Sequence, residues 1–371
     1  MKTVRRLLYR DIVFSVLFVA LAFLSLFYFI DFVEELDGVG KGGRTVLGAV
    51  ITSLYALPGH AYELAPIAVL IGTIYSMARL AQSSEFTILR TGGLGPRRAL
   101  GLLAALGIVF AAATFALGDF VAPVTERLAV LQKARDSGGL RVGGAGAWLK
   151  EKRSTPEGER SVSVNVAGID GDGTLLGVRI FEFDGQGRLA RRIAAPSAVV
   201  GADGHWMLAR ARVLDWPSGT AEPDEVTAIS RELPSLAWPS SLDQNVVAAA
   251  LLPAETMTTL ELWRYSVHLG NQEQASQRHQ VQFWKKAFYP FACLVMVALA
   301  LPFAYMHARA GSVSLKVFGG IMLGISFVLL NNVAGHLGVL SDWTPWMVAA
   351  APGLLYLLLS LAAFAWLVRY R

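Results

Sequence analysis

Six stretches of the sequence contain no Asp, Glu, Lys or Arg: Ile12–Ile30, Leu64–Ala78, Ala99–Gly118, Ala287–Met306, Val317–Gly335 and Trp343–Val368. A hydrocarbon core of about 30 Å is crossed by about 20 residues of helix, so five of these runs suffice as they stand. The second is short and is expected to extend backwards through Glu63, His60 and Pro58, which would sit at headgroup level. Backbone in lipid must satisfy its own hydrogen bonds, and continuous apolar runs without alternation do so as helices. The fold expected is an α-helical membrane protein of six transmembrane helices, three and three, around a water-soluble insert from about Asp119 to Lys286. A composition of 54% hydrophobic and only 16% charged residues agrees. The first run is not expected to be a removable signal, because Asp31, Glu34 and Glu35 follow it where a small-residue cleavage site would be needed. The lone Cys293, in the fourth run, excludes an intramolecular disulfide.

The basic residues set an orientation. Lys2, Arg5, Arg6 and Arg10 precede the first span, Arg79, Arg90, Arg97 and Arg98 flank the turn between the second and third, Arg309 and Lys316 separate the fourth and fifth, and Arg369 and Arg371 follow the sixth. Of the alternate short loops, the one between the first two spans holds only Lys41 and Arg44 and the one between the last two holds no basic residue. By the positive-inside rule both termini are cytoplasmic and the insert is extracytoplasmic. The formal net charge of +5 is therefore a topology signal, and nucleic acid is not implied.

Within the insert a polar helical stretch carrying Glu126, Arg127, Lys133 and Arg135 gives way to strands. Ser161–Val166 and His205–Trp216 alternate apolar and polar residues, while Val178–Phe183 is apolar on both faces. Asp170-Gly171, Asp184-Gly185 and Asp203-Gly204 are hairpin signals between them. A chain of hairpins gives an antiparallel β-domain over about 145–250, jelly-roll-like or a sandwich, with room for about eight strands. Val162, Val164 and Val166, and Trp206, Leu208 and Leu214, are expected to face its interior. Residues 1–125, 126–285 and 286–371 thus form the first membrane half, the insert with its helical connector after Pro253, and the second membrane half. Gly320 and Gly324 in the fifth span form a Gly-x-x-x-Gly pair that lets another helix approach closely.

Between the second and third spans, Ser83 or Ser84 can cap a short helix over about 83–91, Glu85 suits its first turn, Gly92 can end it, and Pro96 fits the first turn of the next span. Phe86 and Leu89 fall on one face of it, beside Glu85 and Arg90. Docking of a soluble partner and packing on the bundle both explain that face.

No catalytic constellation emerges. Gly38–Arg44 resembles a phosphate loop only superficially, since Gly42 stands where Ser or Thr is required. His60 and Glu63 are helically spaced but lack a third metal ligand, and there is no G-x-S-x-G elbow. The acidic cluster Asp31, Glu34, Glu35 and Asp37 is more simply a solvated helix exit than a lipid-modifying acid–base pair. A membrane sensor or scaffold whose β-domain binds an envelope ligand is the alternative reading.

The order of spans and insert, with Leu80-Ala-Gln-Ser-Ser-Glu85 and Gly92-Gly-Leu, resembles the lipopolysaccharide export permeases of the LptF/LptG family. Gly118–Pro123, Gly146–Lys150 and Trp284–Pro290 lean towards its LptG branch. The resemblance implies a permease subunit, without ATPase activity or cofactor of its own, in the bacterial inner membrane with a periplasmic β-domain. The implied partners are a paralogous LptF permease, a dimeric LptB ATPase, the single-span LptC, and lipopolysaccharide as cargo. It assigns ATPase coupling to Glu85, Phe86, Leu89 and Arg90, and lipid phosphate contact to Lys133, with Arg135 close by. Lys41 and Arg44 join that group by topology. A lateral gate and acyl-chain cavity would fall to Phe27, Tyr28 and Phe32 on the first span and Phe318, Ile321 and Ile325 on the fifth. The chain departs from the family at the end of the first span, where Asp31, Asp37 and Gly38 replace lysines. Those acids are expected to bind bridging divalent cations or to pair with bases on the paralogue.

Overall fold

The computed structural model describes residues 2–40, 45–83, 85–92, 95–137, 140–141, 146–155, 158–170, 173–201, 205–216, 229–240, 242, 256–271, 277–305, 313–341 and 343–369. Among the described residues six helices are long and apolar enough to cross a membrane. Helix α1 is Lys2–Leu36, α2 is Val46–Gln82, α3 is the short Glu85–Thr91 and α4 is Pro96–Ala116. A π-helical turn, Leu117–Val121, leads from α4 into α5, Ala122–Ser137. After seven strands come α6 (Thr259–Asn271), α7 (Gln277–Tyr305), α8 (Val313–Leu340) and α9 (Pro345–Arg369). The first, second and fifth charge-free runs lie inside α1, α2 and α8, the third passes from α4 into the π-helical turn, residues 287–305 of the fourth lie in α7 and residues 345–368 of the sixth in α9; the short second run does extend backwards, through Glu63, His60 and Pro58 to Val46. Proline is tolerated there because neighbouring helices and side chains re-satisfy the carbonyls it frees.

The chain divides into two units, one holding residues 1–33, 56–125 and 277–371 and the other 34–55 and 126–276. In the first, α2 is the most enclosed span and α1 the least. The core joins Leu8, Ile12 and Val16 of α1 to Leu70, Ile74 and Met77 of α2, with Leu103 of α4 and Met296 and Leu301 of α7. Among lipid-soluble surfaces there is little hydrophobic gain from association, so helices are held by close packing and small residues mark where they meet. A Cβ on Gly72 would lie 2.6 Å from Val16 Cα, which fixes the α1–α2 crossing. Gly107 meets Leu294, and Gly338 meets Val348. The Gly-x-x-x-Gly pair serves within the chain: Gly320 faces Ile74 and Gly324 faces Ile67, seating α8 on α2. Polar ties are few. Tyr9 donates to the Leu102 carbonyl at 2.8 Å, and Thr114 Oγ1 lies 3.3 Å from the buried Cys293 thiol.

In the second unit, β1 (Leu140–Arg141), β2 (Ala147–Thr155), β3 (Gly158–Ile169), β4 (Leu175–Phe183), β5 (Leu189–Val200), β6 (His205–Asp215) and β7 (Ile229–Pro239) form one antiparallel sheet. From β3 to β7 each strand pairs with the next, and β1 and β2 share the other edge of β3. The β4–β5 turn follows its sequence signal with one change. Asp184 Oδ1 accepts from the Gln186 and Arg188 amides, and the left-handed residue is Gly187 (φ 76°), not the Gly185 of the Asp-Gly pair. Asp203-Gly204 lies outside the described residues.

Alternation holds on β3, where Val162, Val164 and Val166 are fully buried. It fails on β6. Trp206 and Leu208 face inward as expected, but Ala211 and Val213 then take the inner positions and Leu214 is only half-buried. The cause is Arg210, whose φ of 49° turns the strand over without changing its register. In the flanking ladders Arg210 stands opposite Pro196 and Pro234, and Pro196 stands opposite Gly177, which also has positive φ (61°). Glycine, proline and a strained arginine thus form a crease across four adjacent strands, at residue types that weaken a ladder. The creased sheet turns its ends together: Arg153 of β2 lies over the Trp238 ring of β7 at 4.9 Å and donates to the Pro239 carbonyl.

Candidate functional site

Four groups of residues carry the sequence expectations, and the structure treats them differently. Helix α3 ends where its stop signal puts it, closed by the Gly92 amide on the Ile88 carbonyl at 2.9 Å, and it begins at Glu85, while the Ser83 hydroxyl donates to the Leu80 carbonyl of α2 at 3.3 Å and does not cap it. Pro96 sits in the first turn of α4, as expected. Glu85 is exposed at the start of α3, but Leu89 is half-buried and packs against the membrane core. The exposed apolar residue is Ile88, which periodicity from Phe86 passed over. Ser84 and the side chains of Phe86 and Arg90 lie outside the described residues.

The basic set divides similarly. Lys41, Arg44 and the Arg135 side chain lie outside the described residues. Lys133 stands 2.5 Å from Glu35 Oε1, so an acid of the α1 exit already occupies one side of its ammonium. Asp31, another of the acids, has its carboxylate 2.8 Å from His60 Nε2. Its partner is therefore a side chain of this chain's own α2, and among the described residues no three His, Cys, Asp or Glu are grouped to hold a metal ion. Two members of the acid cluster are thus paired within the chain, Glu35 with Lys133 and Asp31 with His60.

The six gate residues are not brought together. Phe27 lies against His60 with ring centroids 4.9 Å apart, and Tyr28 stacks on Phe32 at 6.3 Å. On α8, Phe318 and Ile325 are exposed and Ile321 is half-buried. Helices α2 and α8 run antiparallel, with Ile74 at Gly320 and Ile67 at Gly324. His60, two turns further along α2, is therefore level with about residue 331 of α8 at 1.5 Å per residue. The exposed apolar α8 residues nearest that level are Leu329 and Val333. Phe318 belongs instead to the level of Phe14–Val19 near the middle of α1, since its neighbour Val317 lines a groove with both. Position within a span, which apolar periodicity does not report, separates the two sets.

In the β-domain the interior is a packed core. Trp206 and Trp238 meet edge to face at 5.7 Å, and the Trp206 indole donates to the Leu242 carbonyl at 3.1 Å. Trp238 donates to the buried Glu182 at 3.0 Å, and Ser240 donates to the buried Glu151 at 2.9 Å. These bonds draw the end of β7 back over β2 and β4. Beyond the tryptophans a cavity of about 400 Å³ remains, its mouth edged by Arg153, Arg160, Arg191 and Arg231. Arg191 and Arg231 both donate to Asp215. Burial pushes the Asp215 carboxyl up, but the two guanidinium donors outweigh it and hold it below the usual carboxylate range.

A carboxyl depressed on folding contributes stability that is complete above its unfolded pKa and lost as pH falls through its lower folded pKa. The β-domain should therefore melt at a constant temperature from about pH 7 to about pH 5 and progressively lower below about pH 4. Tryptophan fluorescence of the full chain reads this directly, and Asp215→Asn should flatten the acid limb while lowering the neutral melting temperature.

One structured device went unnoticed in the sequence. Thr258 and Glu261 precede and open α6 with reciprocal bonds, the Glu261 amide to Thr258 Oγ1 at 3.2 Å and the Thr258 amide to Glu261 Oε2 at 2.8 Å. This is a capping box, and its T-x-x-E spacing was the available signal. Arg127 of α5 also donates to Glu261 and to the Thr256 carbonyl. Although burial raises the Glu261 carboxyl, these donors lower it overall.

Six apolar helices in two groups of three, a curled antiparallel sheet inserted between the groups and a short helix wedged between the second and third spans define a polytopic membrane protein with an inserted β-domain. The family described as lipopolysaccharide export system permease LptF/LptG matches residues 6–368, and the chain belongs to it. The lipopolysaccharide export system permease protein LptG of Escherichia coli K12 is 26% identical over 340 residues, 91% of each chain. The protein of the same description from Haemophilus influenzae is 26% identical over 361 residues, 96% of each. Within the family the chain is most like LptG.

Proposed function

We propose that the chain is the LptG-type permease subunit of an ATP-driven exporter that takes lipopolysaccharide from the bacterial inner membrane. The family match across nearly the whole chain is the observation that carries this reading. The subunit pairs with an LptF-type paralogue, and an LptB-type ATPase dimer supplies hydrolysis. Both termini are cytoplasmic by the distribution of Lys and Arg, and the β-domain is periplasmic, where an LptC-type partner receives the lipid.

Helix α3 is the contact with the ATPase. Its exposed Glu85 and Ile88 form the docking face, while Leu89 ties the same helix to the membrane core and so to α2 and α4. Movement of the docked ATPase is thereby passed to the spans as a rigid-body tilt. At the far end of α1 the Asp31–His60 pair and the Phe27–His60 contact hold α1 to α2, and Lys133 waits for a lipid phosphate against the competing Glu35 carboxylate. Charge-assisted pairing is the stronger bond where the acceptor is a multiply charged phosphate.

Co-purification of the tagged chain with its ATPase, comparing wild type with a Glu85→Ala, Phe86→Ala double variant and with Ile88→Asp, tests the assignment. The wild type should bring down an ATPase and a second six-span protein, and both variants should lose the ATPase or at least about 90% of its activity, a barrier change of about 1.4 kcal/mol. A wild-type chain that purifies without any ATPase would remove the transporter reading.

A further inference from the structure

Helix α6 keeps one face in the protein and leaves the other bare. Leu262, Tyr265 and Ser266 are buried, while Leu260, Trp263 and Val267 are 53%, 50% and 45% exposed. The exposed three fall at i, i+3 and i+7 and so form one stripe along the helix. Arg264, also exposed, flanks the stripe. Its geometry is fixed rather than frayed: the Thr258–Glu261 capping box sets the first turn, and Arg127 of α5 holds Glu261 from the other side. Removing such a stripe from water gains about 25 cal/mol per Å², so it favours an apolar surface.

The chain itself limits which surfaces are in reach. Arg127 stands eight residues beyond Asp119, which directly follows the charge-free third run. At 1.5 Å per residue, no more than about 12 Å of helix separates the Arg127–Glu261 pair from the end of that run. The headgroup layer is itself about 5–8 Å deep on each side of the hydrocarbon, and Trp263 is only two residues from Glu261. Val124 and Leu128 of α5 are exposed as well, so apolar side chains continue from the end of the third span to the level of the pair. After α6 the chain returns to the membrane through α7. A stripe of Leu, Trp and Val with a basic residue at its border is the pattern of helices that lie in the plane of a bilayer surface, where the indole of tryptophan is favoured.

We propose that α6 is an interfacial helix whose Leu260, Trp263 and Val267 face is seated in the phospholipid surface, on the side of the bilayer that carries the β-domain. Arg264 reaches the lipid phosphates, and Trp263 sits at headgroup level. The helical connector is thereby held to the bilayer by lipid contact as well as by the chain. The inference concerns membrane lipid rather than cargo, and it stands whether or not the permease reading does.

The test uses the purified full chain, with the partners it retains, in phospholipid nanodiscs. The buried Cys293 is replaced by alanine, and a nitroxide is attached at Leu260→Cys, at Val267→Cys or, as a water reference, at Ser230→Cys on the exposed strand β7. Power-saturation electron paramagnetic resonance then reads collisions with oxygen, which concentrates in lipid, and with a hydrated nickel chelate, which lipid excludes. A face seated about 5–10 Å into the headgroup–acyl boundary should give an oxygen-to-nickel ratio at least about fivefold above that at Ser230. Either position alone carries the test, should the other substitution disturb the helix. A ratio equal to the Ser230 value would mean that the face stands in water, and labels that neither reagent reaches would mean that a protein covers it. Each of these two results overturns the proposal.

Discussion

Replacing Gly72 with leucine should leave little chain that can be purified as a monodisperse species in detergent. The Cβ alone would stand 2.6 Å from both Val16 Cα and Val16 N, backbone atoms that no rotamer change can move. The α1–α2 crossing must then open, and with it the buried contacts of Leu8, Ile12 and Val16. Overpacking in a tight core costs about 1–3 kcal/mol and occasionally more, and here it falls on the span with the fewest other contacts. Gly72→Ala should show the same effect in milder form. Gly101→Ala and Gly353→Ala are the controls: a Cβ at either meets nothing within 4 Å, so both should melt at or slightly above the wild-type temperature. A Gly72→Leu chain as stable as the Gly101→Ala chain would show that α1 does not cross α2 at that point.

The second large effect belongs to the β-domain. Trp206→Ala removes a fully buried indole, its contact with Trp238 and its bond to the Leu242 carbonyl. Truncating a buried aromatic costs about 3–5 kcal/mol. The Leu242 carbonyl then loses its donor, while Ser240 keeps its bond to Glu151 and Glu182 its own from Trp238. Limited proteolysis of the full chain should show cleavage within 146–242 at least about 100-fold faster than in wild type, the ratio about 3 kcal/mol of opening free energy produces. The membrane helices should remain uncut. Trp206→Phe, which keeps the ring packing and removes only the donor, should recover most of the protection. Unchanged cleavage in Trp206→Ala would mean that the two tryptophans do not close the interior.

The membrane half of this architecture was legible because the constraint is local and severe: a charge in lipid is costly, so six charge-free runs mark six helices without knowledge of what they touch. The end of α3 and the turn into α4 were legible for a similar reason, since Gly92 and Pro96 act on their own backbone. Pairings were not. Nothing near Gly72 announces Val16, and nothing near Lys133 announces Glu35, because both contacts depend on where distant helices are placed. Alternation gave the inner face of β3 but misassigned Leu214, since it assumes an unbroken strand and Arg210 turns β6 over. The glycine and prolines opposite Arg210 were visible in the sequence, yet they become a crease only once the ladder registers align them.

The candidate site shows the same division. Residue types pointed to docking, phosphate contact and a gate, but depth within the bilayer decided which of them meet. Phe318 and Phe27 are both aromatic positions on the expected walls, and the antiparallel seating of α8 on α2 puts them at different levels. Counting along α8 from Gly324, Leu329 and Val333 are the exposed apolar side chains nearest the level of His60 and Phe27.

The central claim is that this chain moves lipopolysaccharide when its ATPase turns over. Proteoliposomes carrying the chain with its co-purified permease and ATPase partners, loaded with lipopolysaccharide, test it most directly when a soluble acceptor is added and lipid release is followed with and without ATP. The account predicts release that requires ATP and falls to the ATP-free level with the Glu85→Ala, Phe86→Ala variant. Release that proceeds equally without ATP, or none from a complex that hydrolyses ATP and is stimulated by lipopolysaccharide, would contradict it.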